Sequence, residues 1–449
     1  MVRQNCVRQK GNVAKPVLSI CAVLVALSLP VVSTAAPLSE VFTALMAKAP
    51  RSMAALSDLS ASEERVSEIT RRAWAPQLEV NLSGGAQRYE KPNAAIHDVG
   101  NAFSRSVRLT QLISDFGRSS NSIEENRMVN EQSKTALEAM KQGVALDAFM
   151  AYLSVQRSAK VLDFARLSER NIMEQTKIED ALVEAGKGYV SNVLQAKAQL
   201  AGAQARRVRA EGADSVARYR VKAVFSDLAN GLVYDQIIAS PTGLPATLQK
   251  AIDEAVANSL QIKLGSQRTF ALTARKGAVT SREFLPRLQF ILESRTTSDF
   301  DGVMGSIKDD RAQIQLNYPI NLGFSGKSAI NSANDDISAS VQREMETQNL
   351  VLEQVSISWR NLETARDNRA NLTNQVRLAN QFLSIAREER AVGKRSLLDV
   401  LSAETNLINA QSDLASTEFD VLSAGFTLLQ SMGRLDVQSV QTALKTSAK

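Results

Sequence analysis

Four short segments of the chain alternate apolar and polar residues, the pattern of strands with one apolar face. In PQLEVNLSG, the apolar residues Leu78, Val80 and Leu82 alternate with polar ones, and PRLQFILESR repeats this arrangement about 210 residues later. The segments SRSVRLTQLI and RAQIQLNYPI follow at a short distance and alternate in the same way. The pattern predicts two strand pairs, at about 76–114 and at about 285–321.

A second pattern, with apolar residues three, four and seven positions apart, runs through two much longer windows. Its positions are Leu137, Met140, Val144, Ala148, Ala151, Val155 and Leu162 in the first window, and Leu372, Val376, Ala379, Leu383 and Ala386 in the second. Proline is absent from both windows and glycine is almost absent, and these are the two residues that most destabilise a helix interior. The sequence therefore predicts long helices at about 116–185 and about 327–392, each roughly 100 Å long and packed as coiled coils.

The end of each predicted long helix carries a related sequence. EAGKGYVSNVLQAKAQLAGAQ at 184–204 matches AVGKRSLLDVLSAETNLINAQ at 391–411, so that Gly186 aligns with Gly393 across an offset of 207 residues. This offset is far longer than a solenoid repeat of about 20–50 residues and indicates a duplicated half-molecule. Because glycine readily adopts the left-handed conformation that ends a helix, the two glycines predict hairpin tips. The alternative is a glycine bend within one helix.

The duplication divides the chain into two structural repeats. Ser191 and Ser396 are expected to cap the helices that return from the tips. The tips are expected at 186–191 and 393–396, and the returning helices at about 192–230 and about 397–432. The chain then divides into a leader at 1–36, a first repeat at 37–230, a linker and start of the second repeat at 231–264, a second repeat at 265–435 and a tail at 436–449.

The first 36 residues have the layout of a secretory signal peptide: basic residues, the apolar run VLSICAVLVALSLPVV, and small residues before a cleavage site. The run is short for a membrane span of about 20 residues, and Pro30 interrupts it. Removal of the signal lowers the formal charge from +6 to +2, so the basic composition is no sign of nucleic-acid binding. Cys6 and Cys21, the two cysteines, leave with it, which excludes disulfides and thiolate metal sites.

The remaining chain offers few candidates for catalytic chemistry. His97 is its only histidine and lies in a polar loop, which excludes a multi-histidine metal site. GFSGKS at 323–328 has two residues between its glycines, where a phosphate-binding loop needs four. The carboxylates show no spacing typical of a general acid and base. The sequence predicts neither an enzyme nor a cofactor.

The predicted strands require more than one chain if they enter a membrane. An open sheet edge in lipid leaves backbone amides unpaired, at several kcal/mol each. Membrane barrels begin at about eight strands, and their strand number is even. Four strands per chain must therefore be shared between subunits, and a trimer supplies twelve.

After the leader, the chain resembles the TolC-like outer-membrane efflux and secretion channels over essentially its whole length. The resemblance rests on the duplicated order of strand pair, long helix, glycine-containing tip and returning helix, and on the strand starts at Pro76 and Pro286. It also rests on the junctions LISDFGRS and PINLGFSGKS and on the tip VGKRSLLDVLSAETNL. It implies a mainly α chain with a small β part, assembled as a homotrimer. A twelve-stranded β-barrel with four strands per chain would lie in the outer membrane and continue into the periplasm as a long α-helical barrel.

The same resemblance implies the function of a passive exit duct, in a tripartite efflux pump or a type I secretion system. Its partners would be a periplasmic adaptor protein, an inner-membrane transporter and outer-membrane lipid, and no nucleic acid is expected. Because the partner pump selects the cargo, drug and protein export both remain open. The alternative is a periplasmic or surface coiled-coil structural protein without a pore, which would account for the helices and the leader but not for the strands.

The resemblance also carries candidate site residues through the tip motif. Arg395 has the position of a gating arginine, and Asp399 has that of the first acidic residue that rings the entrance. Ser191 and Asn192 occupy the places of the polar partners of the arginine. Ser402 stands where the second ring acid is expected and Asn192 where an Asp is expected, so the entrance should be less negative than in the family pattern. The alternative for Arg395 and Asp399 is a solvated surface pair worth about 0–1 kcal/mol.

Overall fold

A computed structural model describes residues 38–89, 98–229, 243–300 and 303–435, together with Tyr234 and Pro241. The predicted leader, the loop that carries His97 and the predicted tail at 436–449 lie outside the described residues.

Two repeats with nearly equal element lengths make up the described chain. The elements have 11, 25, 13, 17, 67 and 36 residues in the first repeat, and 11, 25, 14, 15, 67 and 35 residues in the second. The first repeat comprises α1 (Leu38–Lys48), α2 (Pro50–Trp74), β1 (Gln77–Tyr89), β2 (Asp98–Ser114), α3 (Arg118–Glu184) and α4 (Val190–Phe225), with a 3₁₀ turn at Ser226–Ala229. The second comprises α5 (Leu248–Asn258), α6 (Leu260–Phe284), β3 (Arg287–Phe300), β4 (Val303–Asn317), α7 (Ser325–Ala391) and α8 (Leu397–Ser431). These lengths agree with a duplicated half-molecule.

The helices that precede each strand pair were not predicted from the sequence. α1 and α2 precede β1, and α5 lies inside the segment at 231–264 that was assigned to the linker and the start of the second repeat. α2 and α6 have no recognisable helical pattern because their buried positions hold small residues. These are Ser52 and Ser62 in α2, and Ala271 and Ser281 in α6. A contact face built from such small residues leaves no apolar stripe to recognise.

The two 67-residue helices are the long axes of the repeats, and each spans about 100 Å at roughly 1.5 Å per residue. α2 packs along the part of α3 nearest the strands, where Ser62 donates a hydrogen bond of 2.9 Å to Asn130. α4 returns along the far part of α3, where Lys197 lies 3.0 Å from Asp180. α6 and α8 pack against α7 in the same way, and α6 also joins α3. None of the described helices has both the length and the apolar composition to cross a bilayer.

The four strands form one antiparallel sheet in the order β1–β2–β3–β4, which confirms the small β part predicted from the alternation. The register places Val80 opposite Val107, and Leu109 opposite both Leu78 and Leu292, so apolar residues of neighbouring strands share one face. The strands are longer than the ten-residue segments recognised in the sequence because strand pairing continues through mostly polar residues that carry no alternation, such as Arg295 opposite Asp309. β1 and β4 are the edges of this sheet within one chain.

The opposite face of the sheet carries a row of alternating charges. Glu79, Arg108, Glu293 and Arg311 stand in register on β1, β2, β3 and β4. Arg108 lies 3.0 Å from Glu293 across the β2–β3 pair, which joins the two repeats. Cross-strand pairs of opposite charge contribute roughly 0.2–1 kcal/mol each and fix the register.

The main hydrophobic core lies at mid-length of the helical part. Phe149 of α3 and Phe426 of α8 place their ring centres 4.2 Å apart, and Phe42 of α1 and Phe225 of α4 are buried in the same cluster. The short helix α5 contributes Ala251 to it. The cluster therefore fastens both repeats together, and it leaves the far ends of the helical hairpins to be held by separate, smaller contacts.

Candidate functional site

Each long helix ends in the same glycine turn. Gly186 and Gly393 have φ of 69° and 75°, in the left-handed region that disfavours other residues. In both turns the glycine N–H donates to the carbonyl three residues earlier, and the following lysine N–H donates to the carbonyl five residues earlier, at 2.9–3.0 Å. This is the Schellman arrangement, which satisfies the last carbonyls of a helix and reverses the chain.

The two returning helices begin differently. The Ser396 side chain caps α8, where its Oγ accepts the Asp399 N–H at 3.2 Å, as predicted. The prediction for Ser191 is wrong, because α4 begins at Val190 and its N-cap residue is Tyr189, whose side chain makes no cap bond. The offset of 207 places Tyr189 opposite Ser396, so Ser191 lies inside the first turn of α4.

Arg395 is held by its own hairpin. Its Nε donates to Oε2 of Glu389 at 2.6 Å, and its guanidinium lies 5.1 Å from the ring centre of Phe382. Glu389 and Phe382 both belong to α7. Within the described part of one chain, Arg395 makes no recorded contact with Ser191 or Asn192, so the pairing predicted for them is not made inside a chain.

The remaining predicted site residues surround the same end of the molecule. Asp399 and Ser402 are exposed and lie three residues apart at the start of α8. Ser191 is exposed and Asn192 half-buried at the start of α4. The two tips are neighbours, because Arg390, three residues before Gly393, reaches across to α3.

The contact made by Arg390 involves Glu179, one of two buried carboxylates that were not predicted from the sequence. Arg390 of α7 donates a hydrogen bond to Glu179 of α3, whose side chain is 3% exposed. Charge-assisted hydrogen bonds of this kind are stronger than neutral ones. Because burial removes water from both charges, the pair is favourable only when its hydrogen-bond geometry is good. The pair joins the end of one long helix to the end of the other.

The second buried carboxylate is Glu404 of α8, whose side chain is 2% exposed. Asn171 of α3 donates to its Oε1, and the Arg387 guanidinium of α7 lies 3.3 Å from the same oxygen. Its other oxygen, Oε2, has no hydrogen-bond partner among the described residues. Glu404 therefore connects three helices of the two hairpins.

The repeat itself contains a sequence signal for Glu404 and Arg387, but not for Glu179 and Arg390. The offset of 207 places Glu404 opposite Lys197 and Arg387 opposite Asp180, so each hairpin has an ion pair at the same positions with the signs exchanged. Charged residues that keep a place in two copies of an apolar helix face are candidates for paired, partly buried groups.

The described residues contain no cluster of three or more His, Cys, Asp and Glu side chains that could hold a metal ion. The chemistry of this end of the molecule is that of hydrogen bonds, ion pairs and apolar packing between four helix ends. Contacts of these kinds hold the helix ends together while they are made, and the helix ends can separate when they break.

Known proteins resemble the chain over most of its length. A family model described as outer membrane efflux protein matches residues 45–224 and 251–434. The outer membrane efflux protein BepC of Brucella suis biovar 1 (strain 1330) is 25% identical, over 94% of this chain and 92% of that protein. The outer membrane protein TolC of Escherichia coli (strain K12) is 22% identical, over 91% of this chain and 84% of that protein.

Solved structures share the fold at low sequence identity. The outer-membrane channel OprN superimposes with a TM-score of 0.77 at 18% identity, covering 89% of this chain and 90% of that one. The outer membrane protein VceC of Vibrio cholerae superimposes with a TM-score of 0.76 at 15% identity, covering 88% of this chain and 96% of that one.

Proposed function

Because the chain belongs to the outer membrane efflux protein family, we propose that three copies of it form the exit duct of an efflux pump or a type I secretion system. The duct crosses the outer membrane and extends into the periplasm. It is a passive conduit rather than an enzyme. The observation that carries the proposal is a sheet with two free edges, β1 and β4, joined directly to two helices of about 100 Å.

The sheet has the two faces that a membrane barrel needs. One face exposes apolar side chains, among them Leu78, Val80 and Leu82 of β1 and Ile314 and Leu316 of β4. The other carries the charged row described above. In a membrane barrel, apolar side chains face lipid and polar ones face the lumen, and every strand edge is paired. Pairing of β4 of each chain with β1 of the next closes twelve strands without a free edge.

The helices continue the duct below the sheet. α3 and α7, with α2, α4, α6 and α8 beside them, supply four helical strands per chain and twelve per trimer. Their length is greater than the thickness of a bilayer, about 30 Å in its hydrocarbon core, so most of it extends beyond the membrane into the periplasm.

The gate lies where the hairpin tips converge. Arg395, its partner Glu389, and the exposed Asp399 and Ser402 stand at the entrance, with Ser191 and Asn192 on the other tip as candidate partners between subunits. A few hydrogen bonds and ion pairs at a constriction form a bistable element that a docked protein can bias open. The proposed partners are a periplasmic adaptor protein and an inner-membrane transporter, which supplies the energy.

Membrane fractionation with native gel analysis tests the assembly. The protein should be found in the outer-membrane fraction and should migrate as a trimer in unheated detergent samples and as a monomer after boiling. A monomeric protein in the periplasmic fraction would contradict the proposal and favour a coiled-coil structural protein.

A further inference from the structure

A pocket with three arginines lies where the sheet meets the helices of the first repeat. Its volume is about 430 Å³, within the usual range of small-molecule sites, roughly 300–1,000 Å³. The end of α2, the start of β1, the end of β2, the start of α3 and the start of β3 all contribute to its walls. Its polar lining includes Arg72, Gln77, Asp115, Arg118, Ser119 and Arg287. We refer to it as the junction pocket.

Two of the three arginines have no acidic partner. Arg72 pairs with Glu68 of its own helix at 2.8 Å, whereas Arg118 and Arg287 form no ion pair among the described residues. Like charges that line one pocket repel each other, so the two guanidinium groups make it electropositive. An anion bound between them would remove this repulsion and gain charge-assisted hydrogen bonds.

The carboxylate in the pocket lining does not neutralise these arginines. Asp115 is buried, and its Oδ2 accepts the backbone N–H of Ser119 at 3.0 Å. The same oxygen also accepts the Ser119 hydroxyl. Asp115 is therefore engaged at the start of α3 and leaves the pocket with a net positive charge.

The junction pocket opens on the charged face of the sheet. Gln77 lies two residues before Glu79 on β1, and Arg287 lies six residues before Glu293 on β3. Since side chains an even number of residues apart share one face of a strand, both point to the side of the row of alternating charges. In the proposed duct this face lines the lumen, and three copies of the pocket form a ring below the barrel.

The duplicated half-molecule allows a comparison with the same junction in the second repeat. α3 and α7 both have 67 residues, which places Ser325 opposite Arg118. The next residue, Gly326, packs against Phe284, whose ring would lie 3.0 Å from a Cβ at that position. The second junction thus has an aromatic contact at the start of its long helix and no arginine.

The remaining arginine of the second junction is paired. α2 and α6 both have 25 residues, so that Arg282 corresponds to Arg72 and Glu283 to Ala73. Arg282 lies 2.8 Å from the carboxylate of Glu283. Unpaired arginines at the junction are therefore not a consequence of the fold that both repeats share, which favours a function for them in the first repeat.

We propose that the junction pocket binds a small organic anion, which presents a phosphate or carboxylate group to Arg118 and Arg287. A guanidinium group donates two parallel N–H bonds to either group, a geometry that suits both oxyanions. Ile69 and Leu112 give the pocket an apolar wall beside the arginines, where the organic part of the ligand packs. The binding site rests on the geometry of one chain, and its place in the lumen rests on the proposed function.

Titration calorimetry of the purified trimer at low ionic strength tests the proposal, with phenyl phosphate and benzoate as probes. At least one of the two should bind saturably, at one site per chain, and phenol, which has no charge, should not bind. Arg118→Gln and Arg287→Gln should each weaken binding about tenfold or more, because each removes charged hydrogen bonds to the ligand. Both side chains are exposed, so these variants should fold.

Arg282→Gln is the matched control, since it removes the same charge at the equivalent junction of the second repeat. Its affinity for the probe should equal that of the native protein. A native protein that binds neither probe saturably would overturn the pocket. An equal loss of affinity in Arg282→Gln would also overturn it, because binding would then follow the net charge of the chain.

A lipid headgroup carries the same phosphate chemistry, and nanodiscs distinguish it from a soluble anion. The affinity for the probe should be the same in neutral lipid and in lipid with an anionic headgroup. A loss of affinity in the anionic lipid would assign the pocket to the headgroup and overturn a soluble ligand.

The outcomes also separate this inference from the proposed function. A trimeric, conducting protein that binds no anion would overturn the pocket and leave the exit duct standing. Anion binding by a monomeric chain that does not conduct would leave the pocket standing and overturn the duct.

Discussion

The guanidinium of Arg387 lies 3.3 Å from the carboxylate of Glu404, which is buried between α3, α7 and α8. At the equivalent positions of the first repeat, Asp180 and Lys197 pair at 3.0 Å with the signs exchanged, and both are partly exposed. The two hairpins are therefore alike at these positions, but only the ion pair of the second hairpin places its acid in a buried contact with the other hairpin, where Asn171 donates to it. The duplicated ion pair thus contacts the other hairpin in the second repeat only.

The contact between Glu179 and Arg390 predicts a large effect of a single substitution. Arg390→Ala removes the cation and leaves the Glu179 carboxylate buried without its charged partner. Loss of one partner of a buried ion pair typically costs about 3–5 kcal/mol. The thermal unfolding midpoint of the purified trimer, followed by the helical circular dichroism signal, should fall clearly below that of the native protein.

The double variant Glu179→Leu with Arg390→Leu is the control for this prediction. It removes both charges, so no buried group is left unpaired, and its midpoint should lie closer to that of the native protein than the midpoint of Arg390→Ala. An Arg390→Ala protein as stable as the native one would show that the pair does not hold the hairpins together.

The tip glycines give a second prediction, about backbone conformation. Gly393 has φ of 75° and no atom within 4 Å of the position of a Cβ, so Gly393→Ala would be strained only by the backbone. A left-handed conformation costs an L-residue roughly 1–2 kcal/mol. Gly143→Ala is the matched control, since Gly143 lies within α3 with equally open surroundings. It should stabilise the helix by up to about 1 kcal/mol.

Chemical denaturation of the two variants checks this prediction. The denaturation midpoint should fall for Gly393→Ala and stay level or rise for Gly143→Ala. Equal midpoints for the two variants would mean that the tip turn tolerates a side chain and that the glycine is not needed to end α7.

Much of this architecture could be predicted from periodicity and from the repeat. The strands and the long helices carry strong patterns, and Gly186 and Gly393 end their helices in the same turn. α2 and α6 were missed because their contact faces consist of Ser and Ala, which leave no apolar stripe. Glu179 and Glu404 were missed because a carboxylate in a charged helix is ordinarily a solvated one. Only the tertiary arrangement shows that they are buried.

Glu125 of α3 gives a prediction about pH. Partial burial raises the pKa of its carboxyl, and the nearby Arg275 of α6 opposes this in part. Because the raised pKa means that the folded chain holds this proton more tightly than the unfolded chain, ionisation of Glu125 lowers stability as the pH rises through the raised pKa. Glu125→Gln should therefore have a higher unfolding midpoint than the native protein at pH 7.

The difference in unfolding midpoint between Glu125→Gln and the native protein should shrink at pH values below the ordinary Glu pKa, about 4.3. There the carboxyl of Glu125 is protonated in both the folded and the unfolded chain. Thermal unfolding at pH 7 and at pH 4 measures it. Glu124→Gln changes an exposed neighbour on the same helix, 3.6 Å from Arg127, and should alter the midpoint little at either pH. A stabilisation by Glu125→Gln that is the same at both pH values would contradict the account.

Single-channel conductance in planar bilayers tests the central claim, a duct closed at its hairpin tips. The native trimer should show a small, mostly closed conductance, and Arg395→Ala combined with Ser191→Ala should raise it markedly by removing contacts of the gate. Glu389→Ala should raise it as well, whereas Arg360→Ala, at an exposed site far along α7, should leave it unchanged. A large conductance in the gate variants but not in Arg360→Ala is the predicted result. Folded trimers that conduct in none of these forms would contradict the channel and favour a structural protein without a pore.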